Sequence, residues 1–354
     1  MKSLTNQQST VNTTSILEVP VPHNARLTAS EIAQLWTTYM NYSMLICIFR
    51  YFSEKAQQPE IKDLLNESLQ RCEKRLSFAR DTFIKDHLSL PIGFTERDVN
   101  IKAPALFSET YLLFYLRNMI RVSLSLNSLN LSMATRPDII DFYSTCVEST
   151  IKLNHKTTAL MLSKGILPRP PVVEVSDQVE YVHKANFLTG FLGEKRPLLT
   201  TEVAHLYHNA LVNETGRLLL LGFRQVSPNQ DVMEYYTQGI QLSDSIVAKL
   251  SMLAKQENVD FSFTQGADVT DSVEAPFSDK LMMYHVYLLN AIGGGMYGMS
   301  ATISARHDII KMYGQIMIEV GIYAEKGAKL MMANDWLEEP PQILDREELA
   351  ELKH

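Results

Sequence analysis

Apolar residues recur along the chain at helical spacing. Near the N-terminus, Ile32, Leu35, Trp36, Tyr39, Ser43 and Ile46 follow the i, i+3, i+4, i+7 rule of one helix face. Thr28 and Glu31 have capping-box spacing just ahead of that run and set its start. A second stripe, from Ile61 through Leu64, Leu65, Ser68, Leu69, Cys72, Leu76 and Ala79 to Phe83, begins at Pro59, a residue suited to a first helical turn. A later one runs Ile139, Phe142, Tyr143, Cys146, Thr150, Leu153, Thr157 and Leu160. Moved on by 170 residues it becomes Ile309, Met312, Tyr313, Ile316, Val320, Tyr323, Gly327 and Leu330, again a helical stripe. No comparable alternating run of β-branched residues occurs, so the pattern predicts an all-α protein.

Nearly the same shift, 170 to 172 residues, relates other landmarks. Glu31-Ile32-Ala33-Gln34-Leu35-Trp36 reappears as Glu202-Val203-Ala204-His205-Leu206-Tyr207, and Arg136-Pro137-Asp138-Ile139-Ile140 as Arg306-His307-Asp308-Ile309-Ile310. Ala103-Pro104 matches Ala275-Pro276, and Pro170-Pro171 matches Pro340-Pro341. Such widely spaced landmarks mark a tandem duplication. Each unit holds four long helices. Short links near Gln57–Pro59 and Thr135–Pro137 make antiparallel neighbours. Ser89 to Pro104, matched by Asp260 to Pro276, is long enough to run the length of a bundle, about 50 Å against about 42 Å. One long helix 2 to helix 3 crossover selects the ferritin-like arrangement. The expected organisation is a disordered arm over 1–24, a first four-helix bundle over 25–170, and a linker over 171–198. That linker carries a short helix near Asp177–Ala185. A second four-helix bundle follows over 199–340, then a tail over 341–354.

Charge and cysteines exclude several classes. With 33 Lys and Arg against 40 Asp and Glu, the net charge of −7 argues against a duplex nucleic-acid binder, which needs a basic face. Cys47, Cys72 and Cys146 form no CxxC and are odd in number, so they read as buried free thiols. The N-terminal 24 residues lack the apolar core of a secretory signal. Leu281 to Ala305 carries no Asp, Glu, Lys or Arg and is long enough to span a membrane. Its His285, Asn290, three tyrosines and four glycines favour a buried bundle helix instead, so no transmembrane segment is expected.

Three features carry a family resemblance: the FSDKLMMYH stretch (Phe277 to His285), the YAEKGAKLMM stretch (Tyr323 to Met332) and the paired prolines. With them the chain, from about Pro22 to Ile343, resembles the domain-of-unknown-function 3231 family of spore-forming Bacilli. Members of that family are similar to the spore coat protein F group. The resemblance implies two tandem ferritin-like bundles and a sporulation context, with no established reaction.

Candidate chemistry is sparse. A di-iron bundle needs Glu-x-x-His on each of two helices. Glu202-Val203-Ala204-His205 is one match, but unit one has Gln34 in place of the histidine, and His205 and His285 differ by about 16 Å in height. Glu202 then reads as a first-turn dipole partner and His205 as a flank residue. Glu214, His285 and Glu325 sit at similar levels and form the candidate site for one divalent metal: iron, manganese or zinc. The competing reading is a buried polar cluster in which Arg217 neutralises Glu214. Gly293 to Gly298 spells GxGxxG inside a helix, where it signals tight packing with Gly314, Gly321 and Gly327 rather than a nucleotide. Arg117 and Arg121, one turn apart, offer an anion site or salt bridges. No catalytic residues are assigned. The leading expectation is a cofactor-free structural or interaction protein of sporulation, working through protein partners or self-association. It would be cytoplasmic or incorporated in the spore. The alternative is a metal-binding or oxidoreductase bundle.

Overall fold

The computed structural model describes residues 25–191, 195–263 and 266–351. The arm over 1–24 lies outside the described residues, as do the last three of the tail. Eight long helices form two four-membered sets: α1 (Ala29–Lys55), α2 (Pro59–Lys85), α3 (Glu109–Met133) and α4 (Pro137–Ser163), then α5 (Thr200–Val226), α6 (Gln230–Lys255), α7 (Asp279–Ile303) and α8 (His307–Ala333). A short α9 (Arg346–Glu351) follows. Among the described residues no helix is long and apolar enough to cross a membrane. The protein is all-helical, two tandem four-helix bundles, as the periodicity predicts.

Helix ends form where local chemistry demands. Thr28 caps α1 in a capping box with Glu31, and Pro59 and Pro137 occupy the first turns of α2 and α4. Ser108 and Ser278, equivalent residues, cap α3 and α7 through Tyr111 N (3.3 Å) and Leu281 N (3.1 Å). Equivalent left-handed residues follow the other helices: His87 and Asn258 after α2 and α6, Gly165 and Asp335 after α4 and α8.

The linker corrects one expectation. No helix forms near Asp177–Ala185; residues 172–184 are mostly exposed, and only a 3₁₀ turn, Ala185–Leu188, follows. Its stretch Asp177-Gln178-Val179-Glu180 offers no apolar stripe to bury, so nothing offsets the cost of a helical nucleus. The linker's end is pinned to the second unit. Arg196 stacks on Phe187, and Lys195 pairs with Asp308 at 3.0 Å.

Each crossover climbs its own first helix. Phe94 N reaches Ser43 Oγ (3.2 Å), Cys47 Sγ reaches Thr95 O (3.3 Å), and Tyr51 Oη receives Leu106 N (3.0 Å) while donating to Pro104 O. At Gly93 the backbone has φ +63°, and a Cβ would stand 2.7 Å from Ser43 Oγ, so the close approach requires glycine.

The crossovers then pair with each other. Val99 bridges Phe277, and Phe107 bridges Val269. Asn100 N donates to Pro276 O (2.8 Å), Ser278 N to Asp98 O (3.0 Å), Thr270 N to Leu106 O (2.9 Å) and Ser108 N to Asp268 O (3.0 Å). Val99 is equivalent to Val269 and Phe107 to Phe277, so every contact recurs with its partners exchanged. That exchange is the signature of an isologous two-fold interface. On the local axis Tyr115 meets its own equivalent, His285, with Oη and Nε2 3.2 Å apart. Phe52 packs on Tyr115 and Phe107, and its equivalent Phe223 packs on His285 and Phe277. One continuous apolar core therefore crosses both units. This explains α1, in which every residue from Met40 to Ser43 is buried: one face serves its own bundle, the other serves the interface.

Candidate functional site

The proposed metal ligands do not converge. Glu325 is exposed on α8 and pairs with Lys329 at 2.6 Å. His285 is fully buried but faces the interface, against Tyr115 and Phe223. Glu214 is half-buried, and Arg217 pairs with Asp244 instead of Glu214. Among the described residues no group of three His, Cys, Asp or Glu side chains is placed to hold a metal. Equal height was the basis for the trio, but azimuth decides contact. Tyr323 is the buried position of its turn, and Glu325 lies two residues, about 200°, away from it.

The ionisable groups that are buried mostly hold the fold. Glu31 receives Thr28 N, Thr135 N and Arg136 N at 2.8–2.9 Å, clasping the α3–α4 turn to the start of α1. Burial raises its pKa, yet these amides outweigh burial and hold it at about 2. Glu202 does the same with Leu199, Ala305 and Arg306, and adds a two-pronged pair with Arg196 at 2.8 Å. It is thus far more than a first-turn dipole partner. His205 Nδ1 lies 3.0 Å from Ser300 Oγ. Burial pushes the thiols of Cys47 and Cys72 up to about 12 and Cys146 up to about 11, so none is a ready nucleophile. Among the described residues Arg117 and Arg121 form no salt bridge; Arg117 donates to Thr158 Oγ1 at 3.1 Å. Burial, then Arg121, His205 and Arg117, push His208 down to about 4.

The glycine reading divides. Gly327 lets Tyr235 approach α8, and Gly239 lets Tyr323 approach α6, so the two rings stack at 4.3 Å. Around Gly294, Gly295, Gly314 and Gly321, by contrast, an added Cβ would meet only open space. These four do not serve tight packing. They lie within an exposed surface that also carries Tyr287, Ala291, Met299 and Ile303 on α7, and Ile310, Met317, Ile318 and Ile322 on α8. Along α7 from Leu281 this surface has no charged side chain, whereas unit one carries Arg117 and Arg121 on the matching helix.

The first bundle holds a polar centre that the stripes did not signal. Arg75, 8% exposed, donates to Tyr42 Oη (2.8 Å), Ser123 Oγ (3.1 Å), Cys146 O (2.9 Å), Ser149 Oγ (3.0 Å) and Thr150 Oγ1 (2.8 Å). Beside it lies a void of about 30 Å³, room for one water. A larger cavity, about 230 Å³, runs between α1 and α3 from Gln34 and Asn130 past Asn127 and Ser123 to Leu45 and Met119. The available signal was Arg75 itself, at helical spacing between Cys72 and Ala79 on a buried face where the second unit has Ile246.

Comparison with known proteins names the family. The family model described as a protein of unknown function, DUF3231, matches residues 16–179 and again 186–349. Among solved structures, a Bacillus halodurans protein provisionally named as a spore coat protein aligns at 18% identity and a TM-score of 0.39. The alignment covers 98% of that chain and 43% of this one. No curated protein matches. The chain belongs to the DUF3231 family and carries two tandem copies of its unit.

Proposed function

We propose that the chain is a non-catalytic structural protein of sporulating cells, working by association rather than by turnover. The observation that carries this reading is the exposed apolar run on α7, uncharged from Leu281 onward, beside exposed isoleucines and methionines of α8. Met299 is 57% exposed, Ile318 65% and Ile322 53%, with Tyr287, Ile303, Ile310 and Met317 also exposed on the same two helices. Large apolar side chains exposed together in this way on a folded surface favour an association site. Tyr287, Ala291, Gly295 and Met299 recur every four residues, so one helix of a second copy can lie along the row. The membership in DUF3231 and the resemblance to the spore coat protein F group supply the sporulation context. The fixed pairings of Glu31, Glu202 and Arg306 agree with a rigid building block.

The test is fractionation of a sporulating Bacillus that expresses the tagged chain or its Ala291→Glu variant. The reading expects the natural chain in the insoluble spore-coat fraction and the variant in the soluble fraction. A natural chain that stays soluble through spore release contradicts it.

A further inference from the structure

The polar centre of the first bundle lacks a counter-charge. All five acceptors of Arg75 are neutral, and among the described residues no carboxylate pairs with it. A buried cation held only by neutral dipoles keeps a strong attraction for an anion. The hydroxyls in front of it are donor-rich. Tyr42 Oη and Ser123 Oγ each accept from Arg75 Nη1, and each also accepts from Asn127 Nδ2, at 3.3 and 2.8 Å. Their own protons have only long protein acceptors: each other at 3.5 Å, or Thr150 Oγ1 at 3.4 Å from Ser123. Burial raises the Tyr42 hydroxyl's pKa against the opposing pull of Arg75, so it keeps its proton and donates. Both hydroxyls line the 230 Å³ cavity. Two turns lower on α1, about 12 Å away, Gln34 lines the same cavity. It is 6% exposed, and neither of its amide atoms has a partner. Between these polar ends the lining is Thr37, Thr38 and Asn41 on α1 and Leu126 and Asn127 on α3, with Thr37, Thr38 and Asn41 already bonded to Ala33 O, Tyr143 and Tyr284.

We propose that this groove binds a short-chain carboxylic acid bearing a hydroxyl at its far end. The carboxylate accepts the Tyr42 and Ser123 protons with Arg75 behind them. The methylene chain runs past Leu126, Thr37 and Thr38, and the terminal hydroxyl pairs with the Gln34 amide. A chain of about six carbons with a hydrogen bond at each end spans the distance. The second bundle cannot do this, because Ile246 replaces Arg75 and the equivalents of Tyr42 and Asn127, Asn213 and Tyr297, bond each other at 2.7 Å.

Calorimetric titration of the full chain with 6-hydroxyhexanoate, hexanoate and 1,6-hexanediol tests the assignment. The expected result is one site per chain, with the hydroxy acid tightest, hexanoate weaker and the diol silent. Tyr42→Phe and Ser123→Ala should each weaken both acids about tenfold, the scale of one charge-assisted hydrogen bond. Gln34→Leu should lower the hydroxy acid to the level of hexanoate. Circular dichroism of each variant establishes that it is folded, and Ser123→Ala keeps the test open if Tyr42→Phe is not. Absence of saturable binding by either acid overturns the proposal. So does acid binding undiminished in Ser123→Ala, or a diol that binds as well as the acid. A hydroxy acid no tighter than hexanoate overturns the role of Gln34.

Discussion

At the scale of single residues, the buried histidines make stability depend on pH. Burial pushes His285 down to about 3, and His208 stands near 4, against an ordinary value of 6.5. A histidine depressed on folding binds its proton more readily in the unfolded chain. Its contribution is therefore complete above about pH 6.5 and is lost as pH falls toward the folded value, at up to about 1.4 kcal/mol per pH unit for each group. Glu31, held at about 2 against 4.5, adds a loss of the same sign below about pH 4.5. Replacing the pair on the axis, His285→Phe with Tyr115→Phe, removes one of these terms without orphaning a hydroxyl. Acid titration followed by far-ultraviolet dichroism should show the double variant unfolding at lower pH than the natural chain. An unchanged midpoint would mean that His285 is not buried neutral.

Among helices, the reciprocal fit of Gly239 and Gly327 with Tyr323 and Tyr235 fixes how α6 and α8 approach. A methyl group at residue 327 collides with the Tyr235 hydroxyl end, and the stacked ring beside it blocks escape. Gly327→Ala should cost about 1–3 kcal/mol, the usual range for overpacking, despite alanine's better helix propensity. Thermal unfolding measures it, and a stabilised variant would refute the close approach. Helices and crossovers were legible because periodicity, caps and loop lengths are local signals. Thr28, Pro59 and Ser89–Pro104 each carried theirs in a few neighbouring residues. The site was not legible, since Glu214, His285 and Glu325 were matched by height along helices whose rotation the sequence leaves open. Arg75 was passed over because its meaning depends on Tyr42, Ser123 and Cys146, which three other helices bring to it. The patch on α7 was visible as an uncharged run, but which side it exposes follows only from packing.

For the whole molecule, the duplication has become a fused pseudo-dimer. The sequence invites the view that each unit has a core of its own, so that a fragment ending near Val173 would fold alone if the interface between the bundles were modest. That fragment would lose the partners that Phe52, Phe107, Tyr111 and Tyr115 find in the second unit, namely Phe277, Gly222, Thr215 and His285. Because the interface is nearly self-complementary, the fragment should pair with itself through the same aromatic face. Sedimentation should find dimers or larger species, and a stable, well-folded monomer would show that the shared face is dispensable. Each unit keeps a smaller cluster of its own, around Tyr143 in the first and Tyr313 in the second, beside the large cluster that spans both. The most direct test that the shared cluster makes them one cooperative body is scanning calorimetry of the full chain. Two units locked through Tyr115, His285 and the paired crossovers should melt together, with a calorimetric enthalpy about equal to the van't Hoff enthalpy. Two resolved transitions, or a ratio near two, would contradict a shared core.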